Sequence, residues 1–495
     1  MTNLNEGGPR HLETLDRDLA RYANLELATG YVARPLVGTG LALMFVVVAG
    51  IAAALFFGHA NNAFIVIMAA CLGAYMALNI GANDVANNMG PAVGANALTM
   101  GGAIAIAVVF ESAGALIAGG DVVSTIAKGI IAPESMGTAT TFIWAMMSAL
   151  LAAAFWVNLA TWVGAPVSTT HSVVGGVMGA GIAAAGFAAV NWPTMGAIAA
   201  SWVISPMLGG LIAAGFLSLI KSRIIYQDDK IAAARKWVPI LVGIMGGTFA
   251  AYLAQKGLKK LIKIDLPMAL LIGAVLGAMI WAIMIPVITK QSEGLENRNR
   301  SLKVLFGIPL VVSAALLSFA HGANDVANAV GPLAAIVQAA QSGDFMSAFS
   351  IPLWVMVIGA LGISFGLFLF GPKLIRLVGS QITKLNPMRA YCVALSAAIT
   401  VIVASWLGLP VSSTHIAVGA VFGVGFFREW DAERRIKKAR VAMPDRTVYA
   451  PEERRRRKLV RRSHFMTIVA AWVVTVPAAA LLSACFFFIM SAALG

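Results

Sequence analysis

Long apolar runs, most of them near the length that crosses a bilayer, recur along the whole chain. A spanning α-helix needs roughly 20 mainly apolar residues. Some runs, such as 415–427, are too short to span and are typical of half a re-entrant hairpin. The runs predict an all-α integral membrane protein with about 12–13 membrane segments. The thirteen candidates cover 36–57, 63–87, 101–119, 139–162, 170–188, 196–220, 239–256, 266–289, 304–328, 351–371, 388–407, 415–427 and 465–491.

The composition excludes a soluble protein. Of 495 residues, 59% are hydrophobic and 12% are charged, whereas a soluble domain carries roughly 25% charged residues. The three cysteines, Cys71, Cys392 and Cys485, lie inside apolar runs, which indicates small buried side chains rather than a disulfide or a metal site. The polar N-terminus, up to Arg34, lacks a signal-peptide cleavage pattern, so we expect the first helix to be retained.

The basic residues predict the orientation in the membrane. With the N-terminus inside and thirteen alternating segments, 31 of the 36 Lys and Arg residues fall in cytoplasmic loops, as the positive-inside rule requires. The lysines at 256–263 are the exception. The N-terminus is therefore predicted to be cytoplasmic and the C-terminus outside. The basic run 454–458 is explained by a loop near anionic lipid, without nucleic acid as a partner.

Two polar motifs occur twice, in the same order and at nearly the same spacing. GANDVANNMGP at 81–91 recurs as GANDVANAVGP at 322–332, and GAPVSTTHSVVGGVMG at 164–179 recurs as GLPVSSTHIAVGAVFG at 408–423. In the predicted topology the two copies of the first motif run in opposite directions. Inverted repeats with polar motifs at matching positions indicate a secondary transporter whose site lies between the repeats.

The repeats and the charge pattern divide the chain into six regions. An N-terminal stretch with an extra helix precedes the first repeat, connecting membrane segments join the two repeats, and a basic cytoplasmic loop precedes the last helix. The predicted boundaries are 1–62, 63–220, 221–303, 304–427, 428–463 and 464–495.

Three acidic residues lie within apolar segments: Asp84, its repeat mate Asp325, and Glu111. Ionisable groups in hydrocarbon are costly and usually functional. Each aspartate shares a helix face with neighbouring asparagines, and their oxygens suit a hard cation, although inter-helix hydrogen bonds would also explain them. The Gly-Pro pairs at 90–91 and 331–332 are expected to break each helix and free carbonyls. The predicted cation ligands are Asn83, Asp84, Asn87, Asn324, Asp325 and Asn328.

The second motif places three hydroxyls after a proline in each half. If each cluster opens a half-helix at a hairpin tip, its N–H groups attract an anion. No Lys or Arg lies nearby in the apolar segments, so an anion would depend on hydroxyls, backbone N–H groups and bound cations. Bonding to helix carbonyls is the alternative. The adjacent His171 and His415 suit either proton relay or plain inter-helix bonding, and His321 is less favoured because Ile80 is its mate. The clusters are Ser168, Thr169, Thr170, Ser412, Ser413 and Thr414.

The paired motifs, together with FESAGALIAGGDVVSTIAKGII at 110–131, resemble those of the inorganic phosphate transporter (PiT) family over about residues 63–491. The resemblance implies a symporter that moves phosphate with sodium or a proton as the co-transported ion and without a cofactor. It also implies that both aspartates and the hydroxyl clusters contact phosphate, and that Glu111 matches an acidic position of sodium-coupled members. A homodimer is considered.

The chain departs from this family pattern in two places. The segment at 36–57 is extra, and the loop between the halves is short, which favours a bacterial-type protein in the inner membrane. Symport of another tetrahedral oxyanion, chiefly sulfate, is the alternative. An intramembrane hydrolase that uses Ser168 or Ser412 is disfavoured, because every candidate group is duplicated and no nucleophile elbow is present.

Overall fold

The computed structural model describes residues 36–58, 62–163, 167–257, 264–342, 350–381, 385–442 and 462–494. Within these residues the fold is helical, with a single isolated β-bridge between Ile131 and Val190. The α-helices are α1 (Leu36–Phe57), α2 (Ala63–Gly94), α3 (Met100–Ala118), α4 (Gly120–Ser124), α5 (Ala139–Val163), α6 (Thr169–Ala185), α7 (Trp192–Ile220), α8 (Lys230–Lys256), α9 (Leu266–Gln291), α10 (Asn299–Leu305), α11 (Gly307–Asp325), α12 (Ala327–Ser342), α13 (Leu353–Gln381), α14 (Pro387–Trp406), α15 (Ser413–Ala442) and α16 (Arg462–Leu494).

Eleven helical stretches of the described residues are long and apolar enough to cross a membrane, and each matches one predicted segment. Two predicted segments are not among them. Helix α6 has only 17 residues, and the apolar part of α15 is similarly short. Each follows a longer buried helix and a tip, so α5–α6 and α14–α15 form the two predicted re-entrant hairpins. A hairpin returns to the side it entered from, which leaves the predicted orientation of the other helices unchanged.

The expectation that the Gly-Pro pairs break their helices was wrong. Helix α2 continues through Pro91 to Gly94, and α12 continues through Pro332 to Ser342. A proline costs one backbone hydrogen bond and some strain, and dense packing around these buried helices outweighs that loss. The carbonyls of Asn87 and Asn328, four residues earlier, still lose their usual backbone donors. The interruption in the second half lies instead at Val326, between α11 and α12.

Helices of each half pack against helices of the other half in symmetric pairs. Helix α2 packs on α13, and its repeat mate α11 packs on α3; likewise α6 packs on α16 and α15 packs on α7. Ser112 and Ser364, which occupy matching S-x-G positions, share a hydrogen bond of 2.7 Å. Residues that contact their own repeat mates lie on a pseudo-two-fold axis, so the sequence repeat is also a structural one. Its inverted orientation across the bilayer stays a prediction.

Two glycines allow this packing at the centre of the molecule. A Cβ atom on Gly81 would collide with the carbonyl oxygen of Ile363, and one on Gly322 would collide with that of Glu111. Both glycines open a GANDVAN motif. The two motif helices therefore touch the backbone of their partner helices directly, which brings the motif side chains of both halves into one region.

Region 428–463 was expected to be a loop, but its first part is helical. Helix α15 continues to Ala442, about 15 residues or roughly 22 Å beyond its apolar part. The basic run 454–458, the N-terminus and most of the lysine cluster at 256–263 lie outside the described residues. The described lysine of that cluster, Lys256, forms an ion pair with Asp121. Because its charge is paired, it is weaker evidence against the predicted orientation than an unpaired lysine would be.

Candidate functional site

The two hydroxyl clusters open half-helices, as the sequence predicts. Helix α6 begins at Thr169 and α15 begins at Ser413. The side chain of Ser168 accepts a hydrogen bond from the backbone N–H of His171 at 3.1 Å. Ser412 accepts the equivalent bond from His415 at 3.3 Å. These two serines are therefore N-caps, and the following hydroxyls are the ones available to other groups.

Asp84 connects the two hairpins. Thr169 of the first hairpin donates to one carboxylate oxygen at 2.8 Å, and Thr414 of the second donates to the other at 3.1 Å. Asn87 in turn donates to the Thr414 hydroxyl at 2.8 Å. Asp84 and both threonines are buried. One carboxylate of the first half thus contacts hydroxyls of both halves, so the duplicated motifs build a single site.

Asp325 makes part of the symmetric set of contacts. The Ser413 hydroxyl donates to its carboxylate at 3.0 Å, as Thr169 does to Asp84. Asn328 donates to the Thr170 hydroxyl at 3.1 Å, as Asn87 does to Thr414. Thr170, however, donates to the carbonyl of Val411 at 3.0 Å rather than to Asp325. The site is therefore symmetric in its outline but not in every bond.

Asn83 and Asn324 hold the hairpin tips. Asn83 donates to the carbonyl of Val167 at 3.4 Å. Asn324 accepts from the N–H of Val411 at 3.2 Å and donates to the carbonyl of Leu409 at 3.2 Å. Their amides are thus used for positioning the tips in this arrangement, whereas Asp84, Asp325, Asn87 and Asn328 bond to the hydroxyls.

Several hard oxygen atoms of the site have no hydrogen-bond partner among the described residues. Oδ1 of Asp325 and Oδ1 of Asn328 are buried and unpaired. One ligand atom from each of Asp84, Asp325 and His321 lies within 4.8 Å of the other two. Unpaired carboxylate and amide oxygens suit a hard cation such as sodium. Predicted cation ligands therefore lie close together, and Asp325 and Asn328 each have an unpaired oxygen that could bind a cation.

The sequence argument undervalued His321. This buried side chain lies 3.0 Å from the Asp325 carboxylate through Nε2, and 3.3 Å from that of Glu111 through Nδ1. Asn88, which was not predicted, donates to Glu111 at 2.9 Å. The repeat mates of His321, Asn88 and Glu111 are the apolar residues Ile80, Ala329 and Ile363, respectively. The sequence argument held the lack of a polar repeat mate against a binding role for His321. In the structure, the three polar residues with apolar mates contact one another.

Both ring nitrogens of His321 face carboxylate oxygens, Nε2 that of Asp325 and Nδ1 that of Glu111. Nε2 also lies 3.9 Å from the Asp84 carboxylate. This polar group therefore adjoins the residues that bond to the hydroxyls.

His171 and His415 pack with aromatic rings. Their ring centroids lie 4.4 Å apart in an edge contact. His171 packs against Trp202 at 3.8 Å, and His415 stacks on Trp472 at 3.7 Å. The pairs are related by the pseudo-two-fold axis. This arrangement joins the two hairpins to α7 and α16 by aromatic packing. The ring nitrogens of both histidines have no hydrogen-bond partner among the described residues, so their role in proton relay or in hydrogen bonding stays a prediction.

The chain is similar in sequence to known proteins. A family model described as the phosphate transporter family matches residues 80–483. The chain belongs to the phosphate transporter family. A protein of Helicobacter pylori that is named as a phosphate permease is 53% identical over 418 residues, covering 83% of this chain and 78% of that protein. One from Pyrococcus abyssi is 37% identical over 363 residues, covering 72% and 87%.

A solved structure has the same fold. It is described as the sodium-dependent phosphate transporter, has a TM-score of 0.78 and 36% identity, and covers 87% of this chain and all of its own. Membership of this family makes the chain a multi-pass membrane transporter rather than an enzyme, with phosphate as the substrate that the family supports. The sequence resemblance to phosphate transporters is thereby confirmed.

Proposed function

We propose that this protein is a secondary active symporter that carries inorganic phosphate into the cell together with a cation, sodium being favoured, by alternating access. The observation that carries the proposal is the meeting of both hydroxyl clusters at Asp84. Thr169 and Thr414 come from different hairpins and bond to the same carboxylate. Phosphate accepted between these half-helix N-termini would contact both halves at once.

The charge of the site supports cation coupling. Asp84, Asp325 and Glu111 are buried carboxylates, and no Lys or Arg side chain contacts them among the described residues. The carboxylates therefore disfavour an anion unless positive charge is bound beside them. Two like charges at 4 Å repel by roughly 4 kcal/mol at an effective dielectric constant of 20. Phosphate therefore needs cations bound beside the aspartates, and the unpaired oxygens of Asp325 and Asn328 are available for this role.

Phosphate suits the carboxylates better than sulfate does. Phosphate keeps a proton at neutral pH and can donate it to an aspartate oxygen, whereas sulfate has none to donate. The site residues proposed to contact phosphate are Asp84, Asp325, Thr169, Thr170, Ser413 and Thr414, with Ser168 and Ser412 orienting the half-helices by capping them.

Unequal exposure of the two halves supports alternating access. Asn83 and Asn87 are half-buried, while their repeat mates Asn324 and Asn328 are 1% exposed. Two halves related by a pseudo-two-fold axis can each adopt the conformation of the other. That change would bury Asn83 and Asn87 and expose Asn324 and Asn328. The site would then open to the opposite side of the membrane.

The deciding experiment is phosphate uptake into proteoliposomes with sodium and pH gradients imposed separately. We expect an inward sodium gradient to drive accumulation at equal pH on both sides. A proton gradient alone should drive little uptake, because the unpaired oxygens of Asp325 and Asn328 suit a hard metal cation. Accumulation driven by protons alone would assign the coupling to protonation of Glu111, His321 or Asp325 instead, and uptake that needs neither gradient would refute symport.

A second experiment tests the exchange of access. Asn87→Cys and Asn328→Cys are made in a variant without the three native cysteines and treated with a membrane-impermeant thiol reagent from each side. We expect the two positions to react from opposite sides, and phosphate with sodium to change their rates in opposite directions. Reaction of both positions from the same side would contradict alternating access.

A further inference from the structure

A cavity away from the phosphate site is lined by positive charge. It has a volume of about 410 Å³ and lies where the ends of α7, α10, α14 and α15 meet, on the side predicted to be cytoplasmic. That volume lies within the range of roughly 300–1,000 Å³ that is usual for ligand pockets. Its walls carry no carboxylate. Five basic side chains line it, one from the turn directly after α7 and four from the other three helices: Lys221, Arg300, Lys303, Arg389 and Arg428.

Nearby acids do not balance this charge. Asp431 forms an ion pair of 2.7 Å with Lys221, and Glu429 follows Arg428 in sequence. Even if both are counted fully, three of the five positive charges remain. Among the described residues, Arg300 and Lys303 form no ion pair, and both are exposed. Like charges that converge on a cavity repel one another, so a bound anion would relieve a cost that the protein otherwise bears.

The cavity also presents neutral donors. Asn299 and Asn386 line it beside the arginines. Asn386 is the N-cap of α14, a helix of 20 residues, and its side-chain oxygen accepts bonds from the backbone N–H and the Nε of Arg389 at 3.1 and 3.0 Å. This fixes the Arg389 guanidinium at the positive end of a helix. Guanidinium groups with amide donors at a helix N-terminus are a typical environment for phosphate oxygens.

We propose that this cavity is a second anion site that binds a phosphate group, separate from the transport site. The group is supplied either by free inorganic phosphate on the cytoplasmic side or by the headgroup of an anionic phospholipid. A phosphate group bound there would connect the second hairpin, at the start of α14 and within α15, to α10 and the end of α7.

The test uses Arg300→Gln with Lys303→Gln, because both side chains are exposed and their replacement leaves the buried packing unchanged. The matched control is Arg298→Gln with Lys236→Gln, which removes two exposed basic residues of the same side that do not line the cavity. Binding of radiolabelled inorganic phosphate is measured on the full-length purified protein, with and without sodium. Native mass spectrometry after reconstitution with phosphatidylcholine and phosphatidylglycerol measures retained anionic lipid.

If free phosphate is the ligand, the wild type shows a second class of phosphate sites that does not depend on sodium. The cavity variant weakens it about 30-fold, at roughly fivefold per charge removed, and the control leaves it unchanged. If a headgroup is the ligand, phosphatidylglycerol stays bound to the wild type and the control but not to the cavity variant. Equal phosphate and lipid binding by all three proteins would overturn the proposal. Because Asp84→Asn should remove only the sodium-dependent class, a failure here is distinct from a failure of the transport proposal.

Discussion

Replacing Asp84 by Asn tests whether this carboxylate couples phosphate to the cation. The substitution keeps the size of the side chain and one accepting oxygen. The hydroxyls of Thr169 and Thr414 now donate to different carboxylate oxygens at 2.8 and 3.1 Å. In the variant one hydroxyl can still donate to the amide oxygen, and the other can rotate to accept from the amide N–H. What the variant loses is the charge that holds a cation beside the anion.

The expected effect is large enough to measure. A coupling of 1–3 kcal/mol is typical, so sodium should improve phosphate affinity roughly 5- to 150-fold in the wild type. A charge pair at about 4 Å is worth roughly 4 kcal/mol at an effective dielectric constant of 20, which exceeds the whole of that coupling. We therefore expect Asp84→Asn to abolish most of the sodium-dependent gain. Conversion of two charged hydrogen bonds to neutral ones should cost about 1 kcal/mol each in stability.

The assay is isothermal titration of phosphate into purified protein, with sodium present or replaced by choline, at several pH values. Asp121→Asn is the matched control, because Asp121 is exposed and pairs with Lys256 outside the site. The control should keep the full sodium dependence. If Asp84→Asn keeps the full dependence on both sodium and pH, Asp84 is structural and the coupling argument is refuted.

Three further results are expected. Ser413→Ala with Thr414→Ala should abolish phosphate binding although the first cluster remains, whereas Ser396→Ala, whose hydroxyl bonds only to its own helix, should not; half-stoichiometric binding would instead indicate two independent sites. Gly322→Ala should lower the melting temperature, since overpacking a core typically costs about 1–3 kcal/mol and the new methyl group would overlap the Glu111 carbonyl; an unchanged melting temperature would contradict the close packing. A reporter that is active only in the cytoplasm should be silent when fused after Gly495, and its activity there would refute the predicted orientation.

The sequence predicted the helices well, and it predicted which motif side chains lie together, because hydrophobic length and duplicated polar motifs are strong local signals. Residues 81–91 and 164–179 each had a copy to confirm them, and both aspartates were found where the repeat placed them. Proline at 91 and 332 misled the prediction, since the cost of one backbone bond is a local quantity and the packing that outweighs it is not.

The asymmetric part of the site was harder to predict. His321, Glu111 and Asn88 lie on three helices and are far apart in sequence except for the pair at 88 and 111. Their proximity depends on α11 packing against α3, which periodicity does not reveal. A search for buried polar residues whose repeat mates are apolar would have selected all three.

The hydrogen bond between Ser112 and Ser364 bears on how the chain evolved. In a homodimer, a residue on the two-fold axis meets its own copy, and every substitution there changes both sides of the contact together. The present contact keeps that geometry within one polypeptide. It is what a gene duplication and fusion of a dimeric ancestor would leave behind. Once fused, the two copies could mutate separately, and the replacement of one histidine–glutamate pair by two isoleucines, or the reverse, became accessible. An ancestral dimer would have carried such a pair in both subunits or in neither.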